Sequence, residues 1–368
     1  MVRRAPIIAA FLSLSLLIGC AGASADASPV DQETLPPTAP SNGEQQTAHA
    51  DNSPAGFAEF LAELKREAVE KRGISQATAD TALDGIQPLE RVLKRDRSQA
   101  EFKLTLAEYS QRVITDTNVQ VGKRLINVHR TLLEQVAAAY GVQPQFIVAI
   151  WGIETRFGAI TGKEHVLPGL VTLAFDRRRS SYFREQVFAA LEMADKGYIE
   201  LERMKGSWAG AMGQPQFMPS SYLDYAQDFD GDGHPDIWDS EADVFASIAN
   251  YLARHGWSDS LTWGREVRLP TGFQGTVEAL AYQGDKGCRA ERSRTVRKTL
   301  LEWQALGVRR ADGSDLPNVA VEAALVQPDG AAGPSFLVYS NYSSILRYNC
   351  AHLYALTVGM LADRLDGR

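Results

Sequence analysis

The chain has 368 residues, 45% hydrophobic and 23% charged, enough for a sizeable core and an ordinary globular balance. A formal net charge of −7, with no basic block, excludes a nucleic-acid partner. Three cysteines without CxxC spacing exclude a CxxC redox centre and a zinc ribbon.

Arg3 and Arg4 precede an apolar stretch from Pro6 to Ile18, too short to span a bilayer and right for a signal-peptide core. It ends Leu17-Ile18-Gly19-Cys20, which resembles a bacterial lipobox. Residues 1–19 are then a lipoprotein signal and Cys20 the lipidated mature N-terminus; a plain secretory signal is the alternative. Ala21 in place of Asp resembles outer-membrane sorting in enterobacterial lipoproteins, implying a lipid anchor on the periplasmic face of the outer membrane of a Gram-negative cell. Residues 20–55 are rich in Ala, Ser, Pro, Thr, Asn and Gln and read as a flexible tether. With Cys20 lipidated, Cys288 and Cys350 remain, either bridged by an oxidising compartment or left as two thiols.

From residue 56 to 368 the chain reads as one body. Phe57, Phe60, Leu61 and Leu64 follow helical spacing, and Ser75 caps a second short helix. Helical patterns follow at about Ser98–Thr115, Val119–Tyr140, Pro144–Phe157, Tyr182–Lys205 and Ala242–His255. From Leu261 to about Val326, short segments such as Glu266–Leu269 and Ala320–Leu325 lie between Gly, Pro and Asp turns, so a small strand-bearing insertion is expected there. Helices return at Ser343–Leu346 and His352–Leu365. The fold class is mainly α (α+β), with one small β-containing subdomain.

Four stretches are candidates for chemistry. The run Phe146-Ile147-Val148-Ala149-Ile150-Trp151-Gly152-Ile153 ends in Glu154, with Pro144 placed for a first helical turn. On a core helix, a carboxyl there resists ionising and its pKa rises toward the range of a general acid; a helix-end ion pair with Arg156 is the plainer reading. The segment Gly206–Tyr222 mixes glycines with Ser207, Gln216 and Phe217, a combination suited to a sugar's hydroxyls and ring faces and equally to a loop before a helix. Then Asp228, Asp230, Asp232, Gly233 and Asp236 hold positions 1, 3, 5, 6 and 9 of an EF-hand-like calcium loop. Position 12 is Asp239, so the closing ligand is either that residue or Asp243 at the next helix start. Near the C-terminus, Tyr348, Asn349 and Tyr354 form a polar-aromatic group that suits either substrate or core. HExxH, GxSxG, P-loop and dinucleotide motifs are absent from the sequence.

Taken in order, Trp151–Gly158, Gly206–Tyr222, the calcium loop and Arg347-Tyr348-Asn349 resemble the membrane-bound lytic murein transglycosylase B family. The resemblance implies a lysozyme-like helical core with an α subdomain and a small β-containing subdomain. It implies non-hydrolytic cleavage of the β-1,4 bond between N-acetylmuramic acid and N-acetylglucosamine, leaving 1,6-anhydromuramoyl ends. Glu154 matches the family's acid and base. Ser207, Gln216, Phe217, Tyr348, Asn349 and Tyr354 match groove residues, and Tyr109, Arg178, Arg179, Tyr182 and Tyr251 match outer substrate contacts. Asp228, Asp230, Asp232 and Asp243 match calcium ligands, with His234 offering its backbone carbonyl. No catalytic cofactor is implied, and calcium would be structural. The expected partners are peptidoglycan glycan strands, the outer membrane through the anchor, and cell-wall synthesis proteins, with the chain a monomer. The alternatives are a hydrolytic muramidase on the same fold and a non-catalytic, calcium-dependent wall-binding lipoprotein.

Overall fold

A computed structural model describes residues 54–98, 104–176 and 179–367. The signal, nearly all of the tether, Cys20 and Arg178 lie outside the described residues. The N-terminal helices are α1 (Pro54–Glu70), α2 (Gln76–Leu83), α3 (Glu90–Ser98), α4 (Leu106–Val113), α5 (Asp116–Val128), α6 (Arg130–Tyr140) and α7 (Pro144–Thr155). Next come β1 (Glu164–His165), α8 (Val166–Phe175), α9 (Ser180–Asp195), β2 (Lys205–Gly206), α10 (Pro219–Tyr225) and α11 (Glu241–Arg254). The last third holds β3 (Gly264–Arg268), α12 (Gln274–Ala279), α13 (Arg289–Arg292), β4 (Lys298–Thr299), α14 (Leu300–Ala305), β5 (Arg309–Arg310), β6 (Glu322–Val326) and β7 (Ser335–Val338). Helices α15 (Ser340–Tyr348) and α16 (His352–Asp366) close the chain.

Local chemistry sets many of these ends. The Ser75 hydroxyl accepts from Thr78 N at the start of α2, and Thr105 with Glu108 forms a reciprocal capping box on α4. Pro144 and Pro219 occupy first turns, where no amide donor is needed.

The apolar residues gather in three clusters. One is built on α5 to α7, α11, α15 and α16 and includes Phe146, Ile150, Trp151 and Leu356. A second joins α1, α2, α8 and α9 to the glycine-rich segment through Trp208, Met212 and Phe217. The third lies under the antiparallel sheet, ordered β4-β6-β7-β3-β5, and centres on Trp303 and Leu337. Helix α7 packs against α16, α5, α11 and α6, so it sits inside the first cluster rather than on a surface. That explains an apolar run without a polar stripe: a helix buried on every side needs none.

Several expected elements differ. The Val119–Tyr140 pattern is two helices, broken where His129 leaves helical geometry at φ −97° and ψ 19°. The first pattern yields α4 only from Leu106, and α9 stops at Asp195, before the left-handed Gly197. Helix α8 is not among the elements expected from the sequence; Pro168 fits its first turn and the helix is almost wholly buried. The sheet runs past residue 326, since β7 pairs with both β6 and β3.

Candidate active site

Glu154 lies in the last turn of α7, 5% exposed, with every residue from Phe146 to Thr155 buried. Burial pushes its carboxyl up to about 8, and only the hydrogen bond from Tyr354, donated by Oη to Oε1 at 2.6 Å, opposes the rise. Among the described residues no second carboxylate acts on it. Around it stand tyrosines from three elements. Tyr354 comes from α16, Tyr348 from the end of α15 and Tyr109 from α4, and all three phenols are held above their usual range by burial first and by the Glu154 charge second.

The chain turns sharply after Glu154. Arg156 and Phe157 both take left-handed backbone, with φ of 51° and 60°, which non-glycine residues adopt at a cost of about 1 kcal/mol or more each. The fold supports this in two ways. The Phe157 ring folds back over Gly152, where an added Cβ would meet its Cε1 at 2.6 Å, and meets the Trp151 ring edge-on at 5.7 Å. Thr155 Oγ1 accepts from Gly158 N at 3.1 Å and donates to the Gln214 carbonyl at 2.9 Å. Gly158 is itself left-handed, and a Cβ there would strike the Gln214 amide.

Gln214, 7% exposed, is therefore the junction of the site. Its Oε1 accepts from Trp151 Nε1 at 2.7 Å, its Nε2 donates to the Trp238 carbonyl at 2.8 Å, and its backbone N donates to the Ile237 carbonyl at 2.8 Å. Sequence reading missed this residue along with Trp151 and Thr155. The signal available was their place inside two of the quoted motifs, but their joint role needs three separated segments brought together.

The glycine-rich segment forms a pinned wall. Ser207 N donates to the Ala211 carbonyl at 2.7 Å, and Ser207 Oγ accepts from Ala211 N at 3.0 Å. Met212 and Phe217 exchange both backbone bonds, at 2.8 and 3.0 Å. Gln216 is left-handed at φ 51°, its Nε2 donating to the Thr161 and Gly213 carbonyls. Tyr348 Oη donates to the Pro215 carbonyl at 2.7 Å, bringing the end of α15 against this wall. The Phe217 ring, 2% exposed, lies 5.6 Å from Tyr251 and 5.8 Å from Tyr348, within the wall rather than on its face. Asn349, 5% exposed, follows Tyr348 and precedes Cys350, which is bonded to Cys288 with Cα atoms 6.1 Å apart.

The outer residues divide. Tyr251 donates its hydroxyl to the Arg347 carbonyl at 2.6 Å and joins the aromatic group, with Tyr182 close enough to act on its phenol. Arg179 is held elsewhere, ion-paired with buried Asp96 and stacked 5.0 Å from the Phe183 ring.

The acidic loop presents a contrasting set of carboxylates. Oxygens of Asp228, Asp230 and Asp232 lie within 4.8 Å of one another, and all three residues are exposed. Backbone amides of Gly231, Asp232, Gly233 and His234 donate into this group. Asp243 is fully buried in the first turn of α11 and lies outside that trio. Its two oxygens accept from Phe229 N and Asp236 N, both at 2.7 Å, stitching the loop's ends together. Asp239 points away, to Arg203 Nη2 at 2.9 Å. Three converging like charges in an oxygen-only set fit a hard cation such as calcium.

Residues 56–363 match the family model for the transglycosylase SLT domain. The chain belongs to that family. Membrane-bound lytic murein transglycosylase B of Escherichia coli (strain K12) is 35% identical over 264 residues, 69% of this chain and 66% of that relative, just under two thirds of its length. SltB3 from Pseudomonas aeruginosa, solved in complex with NAG-anhNAM-pentapeptide, superposes with a TM-score of 0.76 at 40% identity, over 84% of this chain and 80% of that one. Escherichia coli SLT35, solved in complex with calcium, superposes at 0.68 and 30% identity, over 86% and 93%. The helical body with its small antiparallel sheet is thus the lysozyme-like transglycosylase architecture that the resemblance implied.

Proposed function

We propose that this family member is a peptidoglycan lytic transglycosylase in which Glu154 performs both proton transfers. The observation that carries the reading is a single dry carboxyl, raised to about 8, without a second carboxylate acting on it among the described residues. Ordinary glycosidases need two carboxyl groups, about 5 to 9.5 Å apart, one of them to act as nucleophile or to activate water. A lone acid suits a reaction in which the nucleophile comes from the substrate.

Protonated Glu154 gives its proton to the glycosidic oxygen as the β-1,4 bond between N-acetylmuramic acid and N-acetylglucosamine breaks. The muramoyl acetamido oxygen steadies the cation forming at C1. Glu154, now a carboxylate, takes the proton of the C6 hydroxyl, whose oxygen closes on C1 to give the 1,6-anhydro end. The intramolecular attack has the entropic advantage of a tethered nucleophile. With Tyr354 on Oε1, Oε2 is the oxygen left to deliver and recover the proton. Asn349 would orient the acetamido group and Ser207 would bind near the cleaved bond. The NAG-anhNAM-pentapeptide complex of SltB3 supports this substrate class and this product.

Calcium, when bound, would neutralise the acidic loop; Asp228, Asp230, Asp232 and the His234 carbonyl would hold it, with Asp243 closing the loop. The calcium complex of SLT35 supports the assignment. Ile237 and Trp238, inside the same loop, accept hydrogen bonds from Gln214, so the metal would stiffen the site without entering the chemistry. Lipidation at Cys20, attachment to the periplasmic face of the outer membrane and contact with wall-synthesis proteins complete the proposal; the lipobox resemblance supports the anchor.

The test is digestion of purified sacculi with identification of the sugar ends by mass spectrometry. The expected products carry 1,6-anhydromuramoyl ends, and Glu154→Gln releases them on the order of 1,000-fold more slowly or not at all. Reducing muramic acid ends would favour a hydrolytic muramidase, and undiminished lysis by the variant would reject the assignment.

A further inference from the structure

Only three residues, Asn349, Cys350 and Ala351, separate α15 from α16. Tyr348 ends the first helix with its hydroxyl on the Pro215 carbonyl, and Tyr354, in the first turn of the second, holds Glu154. A shift of this linker is therefore passed to both tyrosines. Its backbone bonds are local: Asn349 N donates to the Ile345 carbonyl at 3.2 Å, and Ala351 N to the Asn349 carbonyl at 2.8 Å. Neither of these bonds reaches another part of the fold. The Cys350 sulfur does, through its bond to Cys288.

Cys288 is itself anchored. Its amide donates to Glu291 Oε2 at 3.0 Å, and Arg292 N donates to its carbonyl at 3.1 Å, closing the single turn of α13. Beyond that turn, Thr295, 1% exposed, is tied to the sheet. Thr295 N donates to the Leu325 carbonyl on β6 at 3.1 Å, and Leu325 N donates back to Thr295 Oγ1 at 2.8 Å.

Between these anchors the segment 288–295 lies along the linker. Ala290 is buried in the first cluster, and its N donates to Cys350 Sγ at 3.4 Å. Ser293 Oγ lies 3.0 Å from His352 Nε2, while His352 Nδ1 is 2.7 Å from the hydroxyl of buried Tyr342. The segment thus clamps the linker from the side of the sheet, and the sulfur–sulfur bond is the covalent part of the clamp.

We infer that Cys288 and Cys350 are positioning residues for the reaction: their bond fixes the adjacent Asn349, 5% exposed, where it orients the muramoyl acetamido group. The inference rests on the role proposed above for Asn349. Both cysteines are partly exposed, so a dithiol reaches the bond in the folded protein. One reductant thiolate attacks a protein sulfur, and its second thiol then displaces that sulfur. The dithiol is oxidised to a cyclic disulfide, and the protein disulfide is reduced to two thiols. Cleavage then slows through lost orientation while substrate binding persists.

The test measures kcat and KM of the full chain on glycan strands from sacculi, at a temperature where circular dichroism shows each protein folded. Dithiothreitol is expected to lower the wild-type kcat about ten-fold with KM within about two-fold, and reoxidation to restore it. C288S/C350S is expected to work at the reduced rate and to ignore the reductant. Asn349→Ala then costs about ten-fold less in that variant than in the bonded wild type, because the bond and the amide act through one contact. If the serine variant does not fold, reduction of the wild type and of Asn349→Ala decides, with no further loss expected in the latter. A kcat unchanged on reduction, or losses that multiply, overturn the inference and leave Asn349 its role. Full activity of Asn349→Ala in the bonded protein overturns that role, and this inference with it.

Discussion

Glu154 and the aspartates of the 228–243 loop carry the same functional group in opposite surroundings. Glu154 ends a helix buried on every side, accepts one hydrogen bond from Tyr354, and keeps its proton up to about 8. Asp228, Asp230 and Asp232 crowd together in solvent and accept from backbone amides. Composition does not separate an acid poised to donate a proton from a set poised to receive a cation. The difference lies in what packs around each. Asp243 stands between the two cases, with its carboxyl raised by burial and then restrained by two backbone donors.

The comparison can be broken at either end. The largest effect belongs to Glu154→Gln, which removes the proton donor and with it the cleavage of sacculi. The same variant also changes stability. The unfolded chain releases this proton near the ordinary 4.5, while the folded chain keeps it until about 8. Between those values the folded state holds a proton that the unfolded state has lost, so stability falls as pH rises through the window and levels off above it. Glu154→Gln is therefore expected to be more stable than the wild type by about 3 kcal/mol at pH 7, with the gap closing toward pH 4.5. Urea unfolding across that range checks it, and a gap independent of pH would show that Glu154 is not protonated in the folded state.

A smaller effect is expected at the other end. Chelating calcium should lower the melting temperature by roughly 5 °C, since a bound ion stabilises the folded chain by mass action. Asp228→Asn should melt at the lower temperature with or without chelator. An unchanged melt after chelation would leave the loop as an acidic turn without a metal.

Much of this was legible in the sequence where the signal is local. The apolar run ending in Glu154, the acid spacing of the loop and the caps at Ser75 and Pro144 each depend on a few neighbouring residues. In the sequence two acids could close the acidic loop; in the fold Asp239 pairs with Arg203, while Asp243 accepts from two backbone amides of the loop. What was hidden is non-local. Gln214 looks like any loop amide until Trp151, Thr155, Ile237 and Trp238 surround it. The break at His129 carries neither Pro nor Gly, and strands of two residues such as β1 and β2 are too short to show alternation.

The central claim is that one dry glutamate begins protonated and can finish ionised, and its titration tests this most directly. In protein labelled at the glutamate side-chain carboxyl carbon, the signal missing from Glu154→Gln identifies the residue in the carbon NMR spectrum. A carboxyl protonated at neutral pH and titrating near 8 is expected, with cleavage declining above the same midpoint. A Glu154 signal that titrates near the ordinary 4.5, with cleavage unaffected by pH between there and 8, would contradict it.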